Sequence, residues 1–244
     1  MKNYFNLKLV NDLINAIFPL PECFGLTCSE ENGDELQDIF FLRNKVKKVD
    51  KDAKVLYGMS KLVIKSPHLN NIVIKIPFNG YWSETYYEDG NNDELEWVDF
   101  YQAPTEDGYD YCFAEYKKFK LLQKRKLDLF VAKTLFYREI DGFRIFLQEL
   151  IHPAFEKNKI SKEIPSRESA KLALQWKKER RCPLMTDANW IAKCIDSYGA
   201  NKTKKFLKYC EEIDEDILSD CHNGNYGYRP DGTPALLDFS GFFS

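Results

Sequence analysis

Apolar residues fall at helical spacing over residues 4–18, MKNYFNLKLVNDLINAIF being punctuated by Asn, Asp and Lys, and this pattern predicts an amphipathic helix. A second helix is expected over 34–48, where Leu36, Ile39, Phe40 and Val46 follow the acidic start Asp34-Glu35. The period changes at Lys54. VLYGMSKLVIKSPHLNNIVIKIPF holds three short Val/Ile/Leu-rich runs, separated by Gly58 and by Ser66-Pro67 to Asn71, the signature of three strands joined by tight turns. CFAEYKKFKLLQKR, Cys112 to Arg125, returns to helix formers with Phe113, Tyr116 and Phe119 expected on one side. Two apolar runs then flank Asp141-Gly142, a strong hairpin signal. Ser166-Arg-Glu-Ser169 opens another helical stretch, and NWIAKCIDSYGANKTKKFLKYCEEI holds one more helix or a pair. At Pro230-Asp231-Gly232 a turn separates NYGYR from PALLDF.

Charge refines this picture in two places. Residues 79–111 contain ten Asp or Glu and no Lys or Arg, which reads as a solvated insertion loop. Basic residues gather between Lys157 and Arg181, around Trp176, and read as a solvated helix face rather than a nucleic-acid surface. The whole chain of 244 residues carries a formal charge of -3, with 44% hydrophobic and 15% aromatic residues. That composition fits a globular protein with no global attraction to nucleic acid or to an anionic membrane. No apolar run is long enough to span a bilayer. Seven cysteines, at 23, 28, 112, 182, 194, 210 and 221, form no Cys-x-x-Cys pair, so reduced thiols in a cytoplasmic setting are expected rather than a disulfide framework or a zinc site. His68 and His152 read as structural loop residues.

The chemistry concentrates near the C-terminal end. In DILSDCHNGNYGYRPDGTPALLDFSGFFS, Asp220 precedes Asn225 by five residues, and Asp238 ends an apolar run after a short hairpin. Oxygen-bearing side chains so arranged suit Mg2+, which prefers a few oxygen ligands plus substrate phosphates, and leave one Asp to orient an attacking hydroxyl. The segment SDCHNGN...LLDFSG resembles the catalytic loop and metal-binding motif of the protein-kinase-like phosphotransferase superfamily. Its Asp-x-His-x-x-Asn form is that of aminoglycoside phosphotransferases and other small-molecule kinases. The resemblance implies Asp220 as catalytic base, Asn225 and Asp238 as Mg2+ ligands, and His222 as a loop-packing residue. It also implies that Lys75, in the third strand, pairs with the phosphates of ATP and with Glu115 on the following helix, and that Gln148, Glu149 and Leu150 hold adenine as the hinge.

The glycine-rich phosphate loop of protein kinases is missing. Between the first two strands stands only YGMSK, in which Gly58 turns the chain and Ser60 and Lys61 are the phosphate contacts. After Asp238 six residues follow, so an activation segment and its substrate platform are not expected. GMSK, VIKIPF and the closing motif also resemble kinase-like proteins of tailed phages. The expected class is therefore α+β, a two-lobed kinase-like fold. An N-terminal helical extension (1–50) precedes an N-lobe of five strands plus helix C (51–151, with the insertion 79–111) and a reduced, mostly helical C-lobe (152–244). The expected function is Mg2+- and ATP-dependent phosphotransfer to an unidentified small-molecule or protein acceptor in the cytoplasm, the host's if the protein is phage-encoded. The alternative is a catalytically inactive nucleotide-binding or interaction module.

Overall fold

A computed structural model describes residues 6–20, 36–57, 60–78, 109–154, 164–179, 187–219, 221–222 and 224–240. The chain divides into two units, Met1–Phe113 with Leu135–Gln148, and Ala114–Thr134 with Glu149–Ser244. The architecture is α+β.

The first unit is built on a five-stranded antiparallel sheet in the order β1-β2-β3-β5-β4, from β1 (Lys54–Tyr57), β2 (Lys61–Lys65), β3 (Ile72–Pro77), β4 (Thr134–Ile140) and β5 (Phe143–Glu149). Strict alternation fixes the register. Leu62 lies opposite Ile76 and Ile64 opposite Ile74, and these side chains share a core with Ile145 and Leu147. The helices α1 (Leu7–Ile17) and α2 (Leu36–Val49) place Val10, Leu13, Ile14, Ile17, Leu42 and Val46 in that same core. They are thus integral to the sheet's core rather than an extension set apart from it.

Local chemistry closes each turn. Asn6 caps α1 by accepting from the Leu9 N–H at 3.2 Å. Ser66 caps the 3-10 turn Pro67–Leu69, and Asn70 and Asn71 leave it with φ of 54° and 62°. Asp141 and Gly142 have φ of 52° and 79°, both positive as a type I′ hairpin turn requires.

The second unit gathers the greater part of α3 (Tyr111–Lys124) with α4 (Arg167–Lys178), α5 (Ala188–Tyr198), α6 (Ala200–Glu212) and the short α7 (Asp216–Ser219). Its core is aromatic at the centre, with Phe130 stacked on Phe206 at 4.4 Å and Trp190 edge-on to Phe206 at 6.2 Å. Trp176 is 5% exposed and belongs to this core, while Lys171 and Lys178 on the same helix are exposed, as a solvated basic face requires. Lys157 and Arg181 lie outside the described residues. A small antiparallel sheet, β6 (His152–Pro153), β7 (Tyr226–Tyr228) and β8 (Pro234–Leu236), completes the unit.

The buried face of α3 departs from the sequence expectation. It runs through Cys112, Glu115, Phe119 and Leu122, with Lys118 also buried, whereas Phe113 and Tyr116 are half-buried. Lys118 is drawn inward by carboxylates, its Nζ lying 2.8 Å from Asp214 and 3.6 Å from Asp216. Charged pairs, invisible to an apolar count, set this helix's orientation.

Candidate functional site

The hairpin β7–β8 positions the C-terminal candidates. Its turn is closed by Asp231, whose carboxylate accepts from the Thr233 N–H at 2.9 Å and hydroxyl at 2.7 Å. Gly232 follows with φ of 87°. Pairing of Tyr226 with Leu236 sets the last rung. At the open end the carbonyl of Asn225 then accepts the N–H groups of Leu237 (2.9 Å) and Asp238 (3.3 Å). Thirteen positions apart in sequence, the two residues expected to hold Mg2+ are brought together by their main chains at the mouth of one hairpin. Both are half-buried, and both offer hard oxygen donors, so the residues fit the ion chemically.

The preceding loop is organised by His222. Its carbonyl accepts from Asn225 (2.9 Å) and Tyr226 (3.2 Å), and its ring Nδ1 accepts from the Gly224 N–H at 3.0 Å. The imidazole thus shapes the turn, and a Cβ on Gly224 would come within 2.7 Å of it. Asp220 lies outside the described residues.

Two further side-chain hydrogen bonds secure this mouth. Tyr226, 3% exposed, donates from its hydroxyl to Asp187 Oδ2 at 2.6 Å. Burial, followed by that carboxylate, pushes the phenol far above its ordinary pKa. Asp187 also caps α5 through the Asn189 N–H at 2.7 Å. Ser240 donates to Asp238 Oδ1 at 3.2 Å. Neither was singled out in the sequence, although the cap signal of Asp187 before Ala188-Asn189-Trp190 was there to be read.

Upstream, Lys75 lies opposite Val63 on the sheet face away from the Ile74–Ile76 core. It is only 3% exposed, and Glu115 on α3 is fully buried. Each has an interaction partner, as a buried charge requires. Lys75 belongs to the first unit and Glu115 to the second. Ser60 and Lys61 are half-buried at the start of β2, with the Ser60 carbonyl accepting from the Phe78 N–H at 3.0 Å. Gly58 lies outside the described residues.

At the end of β5, Gln148 is buried and Leu150 half-buried. Glu149 is held by both its main chain and its side chain. Its N–H donates to the Lys133 carbonyl at 2.8 Å, and its carboxylate takes Arg229 Nε at 2.9 Å and Nη2 at 3.2 Å. Arg229, unremarked in the sequence, is the hub of this region.

Compared with known proteins, the chain matches no family model, no curated protein and no solved structure.

Proposed function

We propose that this chain is a Mg2+- and ATP-dependent phosphotransferase of the kinase-like type. One observation carries the reading: the main-chain carbonyl of Asn225 accepts from the main-chain N–H of Asp238 at 3.3 Å, so the two residues that carry an amide and a carboxylate stand side by side at one hairpin mouth.

In this reading Asn225 and Asp238 would hold Mg2+, which would supply neutralisation of the phosphate charge. Lys75 donates to the phosphate oxygens, and Glu115 takes the acidic role that the resemblance gives it. Ser60 and Lys61 steady the phosphates, and adenine is met by backbone at the end of β5. There Leu150 and Gln148 are the candidates, the Glu149 N–H being given to Lys133. Asp220 orients the acceptor hydroxyl and takes its proton as the new O–P bond forms and the γ-phosphorus parts from ADP. Positioning and charge stabilisation supply the rate.

The melting temperature of the purified chain, measured with and without Mg-ATP, tests this. Ligand at about 100 times its dissociation constant adds roughly 2.7 kcal/mol, a rise of several degrees. Asp238→Ala abolishes the rise. Asp220→Ala keeps it but loses turnover. Absence of any nucleotide-dependent rise in the wild type overturns the proposal and leaves an interaction module.

A further inference from the structure

We infer that Ser240 is a positioning residue that sets the carboxylate of Asp238 for Mg2+, an inference that rests on the phosphotransferase reading above. Asp238 is tied down at two points. Its main-chain N–H donates to the Asn225 carbonyl at 3.3 Å, and its Oδ1 accepts from the Ser240 hydroxyl at 3.2 Å. Ser240 is itself only 4% exposed, and Phe239 between them is 1% exposed within the second unit's core. The backbone that carries both polar side chains is therefore anchored by an aromatic ring that does not leave the core.

A carboxylate has about four lone-pair sites, and the hydroxyl donor at Oδ1 occupies one of them while restraining the plane of the group. Magnesium demands near-ideal octahedral geometry. A ligand carboxylate free to rotate about its last bond therefore binds it less well than one held by an outer hydrogen bond.

The test compares wild type, Ser240→Ala, Ser240→Thr and Asp238→Ala as full-length proteins. Mg2+ is titrated at saturating ATP with melting temperature as the readout. Binding of Mn2+ in the presence of a non-hydrolysable ATP analogue is followed in parallel by loss of the free-ion EPR signal. Ser240→Ala is expected to raise the half-saturating metal concentration by roughly tenfold or more, while Ser240→Thr, which keeps the hydroxyl, stays near wild type. A merely structural role for Ser240 would lower the metal-free melting temperature of Ser240→Ala and leave the metal half-point unchanged, which overturns the inference. If Asp238→Ala abolishes the metal response while Ser240→Ala leaves it intact, Ser240 alone loses its role. If Asp238→Ala binds metal and nucleotide like wild type, the phosphotransferase reading falls and Ser240 with it. Should Ser240→Ala not fold, Ser240→Cys, of similar volume and weaker donor strength, serves in the same comparison.

Discussion

Arg229 directs its guanidinium at the carboxylate of Glu149, the carbonyls of Leu129, Val131 and Pro234, and the hydroxyl of Tyr198, all between 2.9 and 3.3 Å. The Arg229 side chain is 14% exposed and that of Glu149 is 29% exposed, so removing the cation strands a carboxylate and several carbonyls with little water to replace it. Arg229→Met is expected to cost about 3 kcal/mol, read from the urea midpoint, and Arg229→Lys to recover little because an ammonium cannot reproduce the fork. Gly227 is a second sensitive position, since a Cβ there would lie 2.0 Å from the His152 carbonyl oxygen. Gly227→Ala should separate β6 from β7 and lower stability by more than about 2 kcal/mol in the same assay. The contrast with Asn225 and Asp238 explains what a sequence reveals. Those two are joined by a short hairpin whose turn residues announce it, whereas the partners of Arg229 come from residues 129–131, 149 and 198. The Glu149–Arg229 ion pair was illegible for the same reason, because nothing local to Glu149 names its partner 80 positions away.

Among elements, the strands and the Asp141-Gly142 hairpin were legible because their periods and turn residues are local. The stretch from Asn189 to Ile213 left one helix or two open. It resolves into α5 and α6 at Gly199, whose φ of 84° and ψ of 148° belong to a region nearly reserved for glycine. Gly199→Ala meets no atom within 4 Å, so any loss it causes reports backbone strain alone. A loss of about 1–3 kcal/mol is expected, and an unchanged melting temperature would show that the break between the helices relaxes. α3 was less legible, its inward face being decided by Glu115 and Lys118 as much as by Phe119 and Leu122.

At the scale of the molecule, the carboxylates with shifted pKa among the described residues give the acid response its direction. Burial pushes the Asp50 carboxyl up, but hydrogen bonds from Ser66, His68 and the Asp52 N–H outweigh it and hold the group below its usual range. Asp196 behaves likewise, under donors from Ser169 and Ser166. A carboxyl with a depressed folded pKa contributes stability above its unfolded value, about 3.9, and loses it as pH falls through the folded pKa. The melting temperature should therefore fall below about pH 4, and Asp196→Asn should lower it at neutral pH while converging on wild type in acid. Asp110 opposes this: burial raises its carboxyl despite Phe113 and Arg144, so its contribution is largest in acid and is lost as pH rises through the folded pKa.

The chain passes between the two units at 113/114, 134/135 and 148/149, and this has a meaning for biosynthesis. Because β3 lies between β2 and β5 in the sheet, the apolar strand Ile72–Pro77 leaves the ribosome with only its β2 partner, and its other edge waits for Phe143–Glu149. At about 5–20 residues per second the delay is roughly 3–13 s. Through that interval a nascent chain presents a bare β-edge, the kind of edge that chaperones shield and neighbouring chains on a polysome otherwise capture.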